Sequence, residues 1–218
     1  MTTVAFDGKF LVSDSQATSG SKIRLGDVTK IFINESEKPW TIEGKVVNAF
    51  GFSGRANSKS FLLEYLTEGI THKLIPSASA GGFQMLAVCE DGSVFTWSHS
   101  PKDRGNESTT ALYPVTGPYA IGSGATYAES IMSIGGCAEE AVKAGIRLDV
   151  NSGGGIQIWD KDYPKIINVI KPELTLFKDL VKELKDIVNK ECQNPKESAA
   201  RLNEISKILN KEEYASLT

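Results

Sequence analysis

The second residue of the chain offers the most self-contained chemistry. The sequence opens Met1-Thr2-Thr3. An initiator methionine is commonly removed when so small a residue follows, and Thr2 would then be the terminal residue. A terminal threonine carries both a nucleophile and its base. The hydroxyl attacks, and its own α-amine takes the proton. The reference pKa of such an amine, about 7.7, lies near neutral pH. Many chains begin Met-Thr, so the pair on its own is a weak signature. The unit needs no imidazole, and the chain has only two histidines, His72 and His99. Hydrolysis by a serine or cysteine that depends on histidine is therefore poorly supplied. Cys89, Cys137 and Cys192 stand far apart, with no CxxC or HExxH spacing. No structural zinc site is expected, and reduced thiols of a cytoplasmic protein fit this usage.

The composition narrows the classes further. The chain has 218 residues, 40% of them apolar, and a formal charge of −3. That is too apolar and too weakly charged for intrinsic disorder, and long enough for one sizeable core with an appendage. It is not a strongly basic nucleic-acid binder. No apolar run approaches the roughly 20 residues of a membrane span, and the opening residues do not read as a secretory signal. The GSGATY segment at 122–127 lacks the Gly-Lys-Ser/Thr ending of a phosphate loop, so no nucleotide site is expected.

The elements that must position Thr2 follow from pattern. Residues 3–6 and 10–13 read as strands around Asp7-Gly8, a strong hairpin signal. A strand is expected over 28–34 and another over 45–51, running into Gly51-Phe52-Ser53-Gly54. Phe61, Leu62, Tyr65 and Leu66 recur at helical spacing within 56–68, and Gly69 is a natural stop. Residues 83–97 read as two strands around Asp91-Gly92, and 98–110 as loop. A short strand at 119–121 precedes helices at 125–134 and 138–148, then strands at 156–160 and 165–170. Hairpins outnumber βαβ units, which predicts an α+β domain of antiparallel sheets with helices outside. Beyond Pro172, apolar residues at 3–4 spacing on a charged background predict a helical hairpin over 173–213. We therefore divide the chain into a domain over 1–171 and a helical extension over 172–218 that packs on the body or on a neighbouring subunit.

Five segments in order resemble one family. TTVAFDGKFLVSDSQAT at 2–18, VTKIF at 28–32, GFSG at 51–54, AIGSG at 120–124 and DVNSGG at 149–154 are similar to the proteasome β-subunits. The likeness is greatest to the bacterial proteasome-like peptidases that pair with an unfoldase ATPase. The resemblance spans residues 2 to about 160. It implies the four-layer αββα sandwich of the N-terminal-nucleophile hydrolases. It also implies a threonine-type endopeptidase without metal or cofactor.

Carried over position by position, Thr2 matches the nucleophile, Asp14 a buried acid, and Lys30 the lysine that lies against the nucleophile. A cationic Lys30 would stabilise the developing alkoxide and favour an unprotonated amine. Asp14 would keep that ammonium charged and oriented. Without the resemblance, Asp14 reads as a hairpin residue and Lys30 as a solvated one. Gly54 matches the glycine whose N–H faces the oxyanion, and it also serves as a turn before the helix. Ser123 matches the serine that hydrogen-bonds the terminal amine. Asp149 and Ser152 match the pair behind it, with capping and turn formation as the plainer role. Ala17, Val28, Phe52 and Ala56 match the lining of the side-chain pocket. None is charged, so the pocket should favour a small or apolar side chain and disfavour an acidic one.

The chain also departs from the family. The first hairpin is a few residues short, and Asn57-Ser58 stands where Asp is usual. The interval from Gly54 to Phe83 has room for one helix where the family has two, so one helix layer is reduced and the C-terminal hairpin is expected to cover the gap. The compact form resembles a bacteriophage or bacterial outlier. The implied substrate is a peptide or unfolded protein, with an unfoldase ATPase as the implied partner. A homo-oligomer is implied, either a stacked ring or, with a helix missing, a spiral or smaller assembly. Two alternatives stand beside the peptidase: a non-peptidase amidohydrolase with the same nucleophile, and an inactive structural subunit that has lost processing.

Overall fold

The computed structural model describes residues 2–19, 22–25, 28–35, 37–101, 107–163 and 165–169. The helical hairpin expected over 173–213, and Cys192 within it, lie outside the described residues.

Strands β1 (Thr3–Phe6) and β2 (Phe10–Asp14) form the first hairpin. Its turn is locally encoded. Asp7 Oδ1 accepts hydrogen bonds from the Lys9 and Phe10 amides at 2.9 and 2.8 Å, and Gly8 takes a φ of 105°. A short ribbon follows, β3 (Ala17–Ser19) with β4 (Lys22–Leu25). Next come β5 (Ile31–Ile33), β6 (Thr41–Ile42), the long β7 (Lys45–Gly54) and helix α1 (Ser58–Glu68). The hairpin β8 (Phe83–Cys89) and β9 (Val94–Ser100) continues into β10 (Thr109–Val115). Then come β11 (Tyr119–Gly122), α2 (Ala125–Ser133), α3 (Ala138–Leu148), β12 (Ile156–Asp160) and β13 (Ile166–Val169).

One sheet has the order β11-β1-β2-β12-β13, the other β10-β9-β8-β7-β5 with β6 on β7. Pairing in both sheets is antiparallel. Strand alternation sorts the core into three bodies. Val4, Phe6, Leu11 and Trp159 of the first sheet meet Ile31, Ala49, Leu86 and Val88 of the second. On the other face of the first sheet, Ala5, Val12 and Ile156 pack on Ala128 and Met132 of α2 and on Ala141 and Val142 of α3. On the far face of the second sheet, Phe50, Phe83, Met85 and Trp97 pack on Leu62 and Leu66 of α1. The result is a mixed α/β architecture of two sheets flanked by helices, broadly an αββα arrangement.

The single helix expected between the Gly54 turn and the next hairpin is α1, and the rest of that interval holds only a 3-10 turn at Ala78–Ala80. Aromatic rings take up much of the contact there, with Trp97 edge-on to both Tyr65 and Phe83 at 5.7 and 4.9 Å. Two expectations need correction. Residues 98–110 are not a loop throughout, because β9 runs to Ser100 and β10 starts at Thr109. Pro114 and the exposed residues of β10 hide it in the sequence, and both suit its position at the sheet edge. The strand expected over 28–34 is confined to β5, and residues 28–30 lead into it outside any strand. Among the described residues no helix is long and apolar enough to cross a membrane.

Candidate active site

Thr2 directly precedes β1, and Asp14 ends β2, so antiparallel pairing brings the two side by side at one end of the first sheet. Thr2 is 2% exposed and Asp14 fully buried. The Thr2 hydroxyl donates to Asp14 Oδ1 at 2.6 Å. Lys30 reaches the same place from the segment that leads into β5. Its Nζ donates to Asp14 Oδ1 at 2.8 Å and also contacts Thr2 Oγ1. The Asp14 carboxylate is saturated. Oδ1 also accepts from the Thr3 amide at 2.9 Å, and Oδ2 accepts from the Gln16 and Gly153 amides at 3.2 and 2.9 Å. Burial pulls the Lys30 ammonium below the ordinary lysine pKa, while Asp14, and more weakly Asp149, act to raise it.

A second cluster lies behind the terminal strand. Asp149 follows α3, where Ser152 begins the return toward β12. Ser123 donates to Asp149 Oδ2 at 2.5 Å and lies 3.5 Å from the Thr2 carbonyl oxygen. Ser152 donates to the same Oδ2 at 2.8 Å and accepts from the Thr3 hydroxyl at 2.7 Å. Burial alone would push the Asp149 carboxyl up. The hydrogen bonds from Ser123, Ser152 and Asn151 outweigh it and hold the group below the usual carboxylate range. The Gly-Ser-Gly turn is shaped to this strand. A Cβ on Gly122, whose φ is 95°, would fall 2.0 Å from the Thr2 carbonyl oxygen. One on Gly124 would fall 2.0 Å from Thr3 Oγ1. Ser123 thus reaches Thr2 through its main-chain carbonyl.

Beside Thr2 is a cavity of about 100 Å³. Ala17, Val28, Phe52 and Ala56 line it, together with Lys30 and Gly54. Gly54 has a φ of 149°, and a Cβ there would meet the Gly82 carbonyl oxygen at 2.5 Å. No side chain fits that position without moving backbone.

Sequence reasoning missed three features here. Gln16, Thr18 and Ser53 also line the cavity, which makes it more polar than expected. Gln16 is 6% exposed, and among the described residues its Nε2 has no hydrogen-bond partner. Gln157, in β12, turns its side-chain oxygen to the main chain of Lys30. The Asp14-x-Gln16 spacing was visible, but nothing in the sequence linked Gln157 to Lys30. Among the described residues no group of His, Cys, Asp and Glu could hold a metal ion. Cys89 is buried and Cys137 exposed, and neither is in a disulfide.

No family model matches the chain, and no curated protein matches it. Solved structures do. Thiobacillus denitrificans BPH in complex with Epoxomicin is 14% identical at a TM-score of 0.49, over 77% of this chain and 98% of that one. Thiobacillus denitrificans BPH is 14% identical at a TM-score of 0.46, over 78% of this chain and 98% of that one.

Proposed function

We propose that the protein is an N-terminal threonine hydrolase that cleaves peptide bonds, with the domain over 1–171 an N-terminal-nucleophile fold. The observation that carries this reading is the buried triangle of Thr2, Asp14 and Lys30, in which an ammonium and a carboxylate converge on one hydroxyl. A buried ion pair placed on a threonine hydroxyl has a chemical use as well as a structural one.

In this mechanism, removal of Met1 frees the Thr2 α-amine. The amine takes the hydroxyl proton as Oγ1 attacks the substrate carbonyl. The Gly54 N–H stabilises the resulting oxyanion, and the Lys30 ammonium lowers the cost of the alkoxide. The tetrahedral species collapses, the C–N bond breaks, and the protonated α-amine returns its proton to the departing amine. Water, deprotonated by the α-amine, then hydrolyses the acyl ester and restores Thr2. Ser123, Asp149 and Ser152 hold the terminal strand in place behind the reacting atoms. Ala17, Val28, Phe52 and Ala56 form the side-chain pocket.

The extension over 172–218, a homo-oligomeric assembly, a cytoplasmic location and an unfoldase ATPase that delivers unfolded protein belong to the same proposal. The small cavity favours one other reading, an amidohydrolase that acts on a compact acyl group through the same nucleophile. A panel of peptides and small acyl amides, assayed with wild type and Thr2→Ala, separates the two. Peptide cleavage that is lost in Thr2→Ala is the expected result. Cleavage of acyl amides alone would favour the amidohydrolase, and unchanged hydrolysis in Thr2→Ala would remove Thr2 from the mechanism.

A further inference from the structure

We infer that Gln157 is a positioning residue for Lys30, and that its carboxamide sets where the ammonium sits relative to Thr2. This rests on the threonine hydrolase reading above. Gln157 is 5% exposed, on β12 of the first sheet, while Lys30 belongs to the approach to β5 at the edge of the second. Gln157 Oε1 accepts from the Lys30 amide at 2.7 Å, with the Ile31 amide and the Ser13 hydroxyl both at 3.4 Å. Its Nε2 donates to Asn168 Oδ1 at 3.2 Å. These contacts fix the orientation of the amide, because a backbone N–H on one side demands the oxygen there. The carboxamide therefore ties the two sheets together at the residue whose side chain crosses to the nucleophile.

On its other side the Lys30 carbonyl accepts from the Phe52 amide at 3.2 Å, which ties it to β7 of its own sheet. Without Gln157 only that second tie remains among these two, and the Lys30 amide is left buried without its acceptor. Such a loss shifts the segment, and an error of about 1 Å in a reacting group costs on the order of 10²-fold in rate. Displacing the ammonium also removes a positive charge beside Thr2. The terminal amine then binds its proton more tightly, and the acid limb of kcat/KM moves to higher pH.

The test uses the full-length mature protein and the best peptide of the wild-type panel. Gln157→Leu removes the acceptor, whereas Gln157→Glu keeps an oxygen facing the Lys30 amide. For Gln157→Leu we expect kcat to fall on the order of 10- to 100-fold, with KM within about twofold, and the acid limb to move up. Gln157→Glu should restore most of the kcat lost in Gln157→Leu, because the oxygen facing the Lys30 amide is kept. If Gln157→Leu does not fold, Asn168→Ala takes its place. Asn168 is exposed, and its loss frees the far end of the carboxamide. It should lower kcat in the same direction, with the same upward shift. Unchanged kcat and acid limb in the folded variant would overturn the inference while leaving Thr2 as the nucleophile. A wild type without activity, or an active Thr2→Ala, would instead overturn the hydrolase reading.

Discussion

The pair Asp14 and Lys30 should respond very unequally to removal of one partner or the other. Asp14→Asn leaves the Lys30 ammonium in a site where the residue is only 6% exposed, without its counter-ion. Its other contact there is the neutral Thr2 hydroxyl. Breaking a buried pair in this sense costs about 3–5 kcal/mol. Lys30→Met leaves the Asp14 carboxylate with four donors: the Thr2 hydroxyl and the amides of Thr3, Gln16 and Gly153. That change forfeits one charge-assisted bond, about 1.5–3 kcal/mol. The double variant should be more stable than Asp14→Asn alone, because it removes the uncompensated charge.

The effect also has a pH signature. Burial already lowers the Lys30 pKa, and loss of Asp14 lowers it further. The unfolded lysine then holds a proton that the folded one does not, so stability rises with pH up to the ordinary lysine value. The gap between Asp14→Asn and wild type should therefore narrow between pH 7 and pH 10. Urea denaturation of the four proteins at several pH values measures this. Equal losses in Asp14→Asn and Lys30→Met, with a gap independent of pH, would refute the argument that Asp14 carries a buried ammonium.

Other consequences can be checked more briefly. Gly54→Ala forces a side chain against the Gly82 carbonyl at a φ of 149°. It should lose roughly 10²-fold or more in kcat and about 1–3 kcal/mol in stability, read from steady-state kinetics and denaturation. Asp149 has a depressed folded pKa, so its contribution is present above the ordinary carboxylate range and is lost as pH falls through the folded value. Asp149→Asn should flatten that acid part of the stability profile, measured as melting midpoint against pH. Gln16→Met removes a buried donor that has no partner among the described residues, while keeping the length of the side chain. It should raise stability by about 1 kcal/mol, seen as a higher denaturation midpoint.

What the sequence made legible was mostly local. The Asp7-Gly8 turn is written in adjacent residues, because Asp7 bonds the amides of Lys9 and Phe10. The same side chain also does something no local pattern shows. Its Oδ2 accepts from the Ala138 amide at 2.9 Å and so caps α3 from across the fold. Thr2, Asp14, Lys30, Ser123, Asp149 and Ser152 were reached through resemblance, and periodicity alone would have left Lys30 a solvated residue. Gln157 escaped because its partner is 127 positions away and a glutamine in a strand has no distinguishing pattern. The edge strand β10 escaped for a different reason. It buries too little to alternate clearly, and its proline reads as a break.

The central claim is that Thr2 carries the acyl group, with its own amine free. The most direct measurement is mass spectrometry of the purified protein after brief exposure to an activated acyl ester, followed by peptide mapping. The account predicts a chain that lacks Met1 and bears one acyl group on the residue 2 hydroxyl, with no such adduct in Thr2→Ala. A chain that retains Met1, or an adduct that maps elsewhere and persists in Thr2→Ala, would contradict it.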